Sequence, residues 1–166
     1  MSKFLNNLFA KKITVDPKSA IDSFKRTPAN YFTYRQKPFA WPQQDSDRTK
    51  QIDFTDMCVQ VCDHKLGFVE RVHCIDATAW IKHIAVVKSL GGKRTKIGTV
   101  LARAYAHELR TRYGINRIIF QEDHREFKEA GYPEYFASIG ATPMSIKHGQ
   151  LPDRPDFEWL ECKWGI

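Results

Sequence analysis

The stretch best equipped for chemistry runs from Ile84-Ala85-Val86-Val87 through Gly91-Gly92-Lys93-Arg94-Thr95-Lys96 to Ile97-Gly98-Thr99-Val100-Leu101. An apolar strand enters a flexible cationic loop, and a helix opens at about Ile97. A helix start leaves N–H groups without intrahelical partners and carries the positive end of the helix dipole, so it suits a phosphate. Lys93, Arg94 and Lys96 add charge, and Gly98 admits another group close to the backbone. The spacing is not that of a nucleotide P-loop, because Thr99 follows Gly98 with no lysine between them. A solvated loop with glycines for turning is the bland alternative.

The cysteines offer a weaker lead. Cys58 and Cys62, followed by His64 and His73-Cys74, suggest zinc by residue type. Their three-residue spacing has alternating apolar character, which places Cys58 and Cys62 on one strand face and not in a metal-binding turn. No metal is expected, and reduced thiols in a cytoplasm are the default without a secretory signal. The N-terminus, MSKFLNNLFAKK, lacks a long apolar segment, and no run approaches the roughly 20 residues that cross a membrane.

The elements that must position the loop follow from periodicity. Residues 11–15 suit a short strand, and Asp16-Pro17 caps and opens a helix over Lys18–Lys25. Ala29 to Asp47, aromatic, basic and broken by prolines, is expected to be irregular. Alternation at Met57–Cys62 predicts a strand, Asp63–Gly67 supplies a loop, and Phe68–Cys74 completes a hairpin. Trp80–Val87 is apolar enough for a central strand covered on both faces. A helix is expected over 97–113, with Ile97, Leu101 and Ala104 inward and Gly114 as its stop. Asn116–Gln121 is a further buried strand, and 126–139 is helical in part with a break at Gly131-Tyr132-Pro133. Pro143–Lys147 and Phe157–Trp164 close the chain as strands. The fold class is mixed α/β, an antiparallel start passing into strand–loop–helix–strand.

At 166 residues the chain fits one domain, 1–166, with a basic part at 1–50 and a body at 51–166. The net charge of +7 is uneven: 10 Lys/Arg face 4 Asp/Glu in 1–50, against 16 and 15 in the remainder. Such an edge suits an anionic partner without saying which.

The strand–loop–helix resembles that of the GNAT superfamily of acyl-CoA N-acyltransferases. Registered on Gly98, Lys93 stands at the Arg/Gln position of the family loop and Lys96 at its first glycine. Tyr135-Phe136-Ala137-Ser138-Ile139-Gly140-Ala141 is similar to the family's tyrosine-to-glycine close, with Phe136 at the usual tyrosine position. The resemblance spans about 55–164 and implies a mostly antiparallel central sheet with an acyl-CoA site between strand, loop and helix. It implies acetyl-CoA as co-substrate, with Lys93, Arg94, Thr95, Lys96, Ile97, Gly98 and Thr99 at its pyrophosphate. It also implies that the N–H of Val86 or Val87 polarises the thioester carbonyl.

The resemblance further implies an N-acetyltransferase working by direct attack of a primary amine on the thioester. The amine could belong to a protein, a small molecule or an aminoacyl-tRNA. Phe136 cannot protonate the departing thiolate, so Tyr135 and Tyr132 are the candidate acids, each equally readable as a packing aromatic. Glu122 is a candidate base, set against a solvated carboxylate beside Asp123. His83 lies opposite Trp80 and Lys82 by strand alternation and reads as a core histidine. The rival class is a non-catalytic module in which residues 25–50 bind nucleic acid or a protein. There Phe32, Tyr34, Phe39 and Trp41 would stack on bases among Arg26, Arg35 and Lys37. Neither the acceptor nor the oligomeric state is legible.

Overall fold

The computed structural model describes residues 16–34, 57–61, 64–87 and 95–166, and the backbone of 51–54. The expected strand at 11–15, the segment 35–50, Cys62 and the loop 88–94 with Lys93 and Arg94 lie outside the described residues.

Helix α1 spans Pro17–Arg26 and is capped as the sequence predicts: Asp16 accepts from the Ser19 N–H at 3.1 Å, and Pro17 opens the first turn. Its apolar residues Ala20, Ile21 and Phe24 are buried. Among the described residues, eight strands follow in one sheet: β1 Phe32–Tyr34, β2 Gln51–Phe54, β3 Met57–Val61, β4 His64–Ile75, β5 Thr78–Val86, β6 Arg117–Glu122, β7 Met144–Leu151 and β8 Arg154–Gly165. Their order is β1-β3-β4-β5-β6-β8-β7, with β2 also paired to β4. Strands β2 and β3 lie end to end along one edge of β4, through Phe54↔Val72 and Met57↔Val69. All pairings are antiparallel except β5–β6, which helix α2 (Ile97–Tyr113) joins as a crossover.

Several expectations change. The stretch Pro28–Tyr34 is regular, a 3-10 turn followed by β1, because Phe32 and Tyr34 pack against α2: Phe32 meets Tyr105 edge-on, and the Tyr34 hydroxyl donates to Glu108 at 2.8 Å. Those two aromatics are therefore not displayed for stacking on a nucleic acid. The hairpin is tighter than expected, with β4 already paired at His64↔Val61. Gly67 belongs to that strand and not to a turn; a Cβ there would stand 2.7 Å from the Ala85 carbonyl oxygen and 3.1 Å from Leu101. Along α2 the buried stripe is Ile97, Leu101, Tyr105 and Leu109, with Ala104 only half-buried. Gly114 ends that helix in the left-handed conformation, φ 67°, as expected. The second helical region is reduced to α3, Tyr132–Ser138, after the break at Gly131.

The core joins α1, α2 and α3 to the sheet in one cluster. In β5, Ala79, Ile81 and Ile84 are buried while the other positions are half-buried, so the strand is covered fully on one face only. Between Ile81 and Ile84 the buried set steps by three, and on β4 it does the same from Val69 to Val72. At that step Arg71 takes a left-handed φ of 53°, a conformation that costs a non-glycine residue of order 1 kcal/mol. Its guanidinium grips Asp123 through two bonds of 2.6 and 2.9 Å, which fixes the distorted point to the end of β6.

Candidate functional site

Strands β5 and β6 pair only from Thr78↔Arg117 to Ile81↔Phe120 and then separate. The separation exposes an edge of β5 whose chemistry follows from the ladder on its other side. The Val87 N–H donates to the Leu66 carbonyl at 3.0 Å, so Val87 faces β4 and its N–H is engaged. Alternation then turns the N–H and C=O of Ile84 and Val86 the other way, toward the gap. Ile84 shows this directly, its carbonyl accepting from the Tyr132 hydroxyl at 2.8 Å and its N–H directed at Glu122 Oε2 at 3.5 Å. Of the two candidate N–H groups, Val86 is the one aimed at the opening.

The start of α2 lies against this edge. Lys96 sits at φ 57°, no side chain among the described residues caps the helix, and the first intrahelical bond is Val100 N–H to the Lys96 carbonyl at 3.1 Å. The N–H groups of Ile97, Gly98 and Thr99 therefore have no partner within the helix. Gly98 is where three elements converge. A Cβ on it would stand 3.0 Å from Tyr135 Cε2 and 3.4 Å from Val86 Cγ2. Its missing side chain thus lets the end of β5, the start of α2 and the α3 aromatics meet.

The two candidate acids occupy different places. The Tyr135 hydroxyl donates to the Gly98 carbonyl at 2.7 Å at the start of α2, whereas Tyr132 reaches the open edge of β5 at Ile84. Burial pushes both phenols above their ordinary 10, so both stay protonated. Phe136 is fully buried against Phe120, centroids 4.5 Å apart, and serves the core.

Glu122 is not a solvated carboxylate: it is 1% exposed. Its Oε1 receives His83 Nδ1 at 2.7 Å and the His124 N–H at 3.1 Å. The step in burial phase between Ile81 and Ile84 is what carries His83 off the core face and beside Glu122, contrary to strict alternation. Its ring lies 5.8 Å from that of His124, nearly parallel, and 6.1 Å from Tyr132. The hydrogen bond to Glu122 holds the His83 imidazole above its ordinary 6.5, against the opposing effect of burial. Half-buried Lys82 is lowered by desolvation, with Asp123 resisting the shift. The run Glu122-Asp123-His124 after an apolar strand was the sequence signal for this cluster. Its partner on β5 was hidden by the irregularity at Arg71.

A parallel pair opening beside a helix start, within a mostly antiparallel sheet, is an arrangement the chain shares with solved acetyltransferases of the GNAT fold, and the chain has that fold. An acetyltransferase from Bacillus subtilis in complex with CoA matches it at 12% identity over 82% of this chain and 98% of that one, TM-score 0.51. A GNAT family acetyltransferase from Elizabethkingia anophelis with acetyl-CoA bound matches at 11% identity over 82% and 99%, TM-score 0.51. No family model and no curated protein sequence matches the chain.

Proposed function

We propose that the protein is an acetyl-CoA-dependent N-acetyltransferase acting on a primary amine. The observation carrying this reading is the opening between β5 and β6, with the Val86 N–H on one side and the start of α2, uncapped by any described side chain, beside it. Acetyl-CoA would supply a thioester carbonyl open to attack by an amine. The N–H groups of Ile97, Gly98 and Thr99 are suited to its pyrophosphate, helped by Thr95, Lys96 and the charges of Lys93 and Arg94. In this reading Val86 donates to the carbonyl oxygen, a role Val87 is less suited to because its N–H is spent on Leu66. Tyr132 is the better-placed acid because it stands at the strand edge. Tyr135 is held at Gly98 and braces the start of α2.

The direct test is calorimetric titration with acetyl-CoA, followed by measurement of thiol release across amine classes. Gly98→Asp should weaken acetyl-CoA binding by more than about tenfold, since it brings bulk against Tyr135 and negative charge to a phosphate site. Equal binding by the parent and the variant would move the donor site elsewhere.

A further inference from the structure

Resting on the acetyltransferase reading, we propose that His83 is the general base that takes the proton from the acceptor amine, with Glu122 as its positioning residue. Three features of the geometry support this. The first is orientation: Glu122 Oε1 holds His83 Nδ1 at 2.7 Å, which assigns the ring proton to Nδ1 and leaves the lone pair on Nε2. No described residue hydrogen-bonds Nε2; the ring is flanked instead by Phe68 at 5.5 Å, His124 at 5.8 Å and Tyr132 at 6.1 Å.

The second is the carboxylate itself. A side chain only 1% exposed is expensive to bury as an anion, and Glu122 is surrounded by N–H groups from His83, His124 and, more distantly, Ile84. It is thereby fixed in place, and an imidazolium formed at His83 has a partner already in contact. That is how a buried carboxylate assists a histidine base.

The third is position. His83 and Val86 lie on the same strand, three residues apart, about 10 Å between α-carbons. That span accommodates a carbonyl held at the Val86 N–H, the attacking nitrogen and the imidazole in sequence. In the step, the amine nitrogen bonds to the thioester carbon while its proton passes to Nε2. The carbon–sulfur bond breaks, and the thiolate takes a proton from Tyr132, which is restored from His83 through solvent. The products are an amide and a free thiol. The charged and titratable groups around the imidazole are Glu70 and Arg71 on β4, Glu122 on β6, His124 after it, and Tyr132 on α3.

The test combines kinetics with direct titration. The pH profile of kcat/KM should show an acid limb at the value where the His83 ring titrates by NMR, above its ordinary 6.5. His83→Gln should lower kcat by about a hundredfold or more and abolish the limb, with acetyl-CoA affinity unchanged. Glu122→Gln should shift both the NMR titration and the limb to lower pH together, a movement that a purely structural contact would not produce. A His83→Gln protein that keeps the limb, or turns over within about threefold of the parent, overturns the assignment while leaving the acetyltransferase reading intact. So does a wild-type limb that does not coincide with the His83 titration. A parent that binds no acetyl-CoA defeats the function and this inference together.

Discussion

Replacing Gly98 by alanine places two familiar effects in opposition. Gly98 is the second residue of α2, where alanine ordinarily gains up to about 1 kcal/mol over glycine through helix propensity. Here the new methyl group would stand 3.0 Å from Tyr135 Cε2, 3.4 Å from Val86 Cγ2 and 3.5 Å from Tyr135 Cζ. The ring cannot simply swing aside. Its hydroxyl is bonded to the carbonyl of Gly98 itself at 2.7 Å, and its other neighbours include Phe136, centroids 5.3 Å apart. Overpacking a core typically costs about 1–3 kcal/mol, and losing the hydroxyl bond adds about 1 kcal/mol. The net expectation is destabilisation by about 1–3 kcal/mol, with the steric effect winning. Urea unfolding should show a lower midpoint at unchanged slope. Repeating the substitution in a Tyr135→Ala background isolates the cause: with the ring gone, the cost should fall by at least about 1 kcal/mol. An alanine variant as stable as the parent, or one that loses the same amount with and without the ring, would refute this account of why a glycine stands there.

Gly67→Ala should be worse tolerated, because its methyl group meets the Ala85 backbone oxygen at 2.7 Å, and the strand cannot yield as a side chain can; a loss of about 3 kcal/mol or more in urea unfolding is expected. The His83 imidazole is held above 6.5 in the folded protein, so its contribution to stability is full below about 6.5 and is lost as pH rises through the folded value. Urea midpoints of the parent minus those of His83→Gln should therefore shrink between about pH 6 and pH 8.5, and a difference that grows with pH would contradict the assigned sign.

Much of the fold was decided locally, and local rules found it. Asp16-Pro17 is a cap followed by a first-turn proline whatever surrounds it, and Gly114 ends a helix because the left-handed conformation suits glycine. The apolar run of β6 and the order strand–loop–helix–strand are likewise written in residue type and period. They sufficed for the fold class and for placing a helix start at Ile97. What only the tertiary structure decided depends on residues distant in sequence. Pro28–Tyr34 becomes ordered because Phe32 and Tyr34 find Tyr105 and Glu108 on a helix some seventy residues later. Gly67 looks like a turn residue, yet it is needed because the Ala85 carbonyl and Leu101 press against its backbone; at Gly98 the sequence already suggests a close approach, and the assembled fold decides that Tyr135 and Val86 make it. The site turns on the same principle. Strict alternation on β5 sends His83 away from the opening, and nothing within Trp80–Val87 reveals that the pairing opposite Arg71 breaks the phase. Strand periodicity reports which face a residue would occupy on a regular ladder. The distortion that seats His83 against Glu122 is a property of two strands and the Arg71–Asp123 clamp that holds them, and so it exists only once the sheet is assembled.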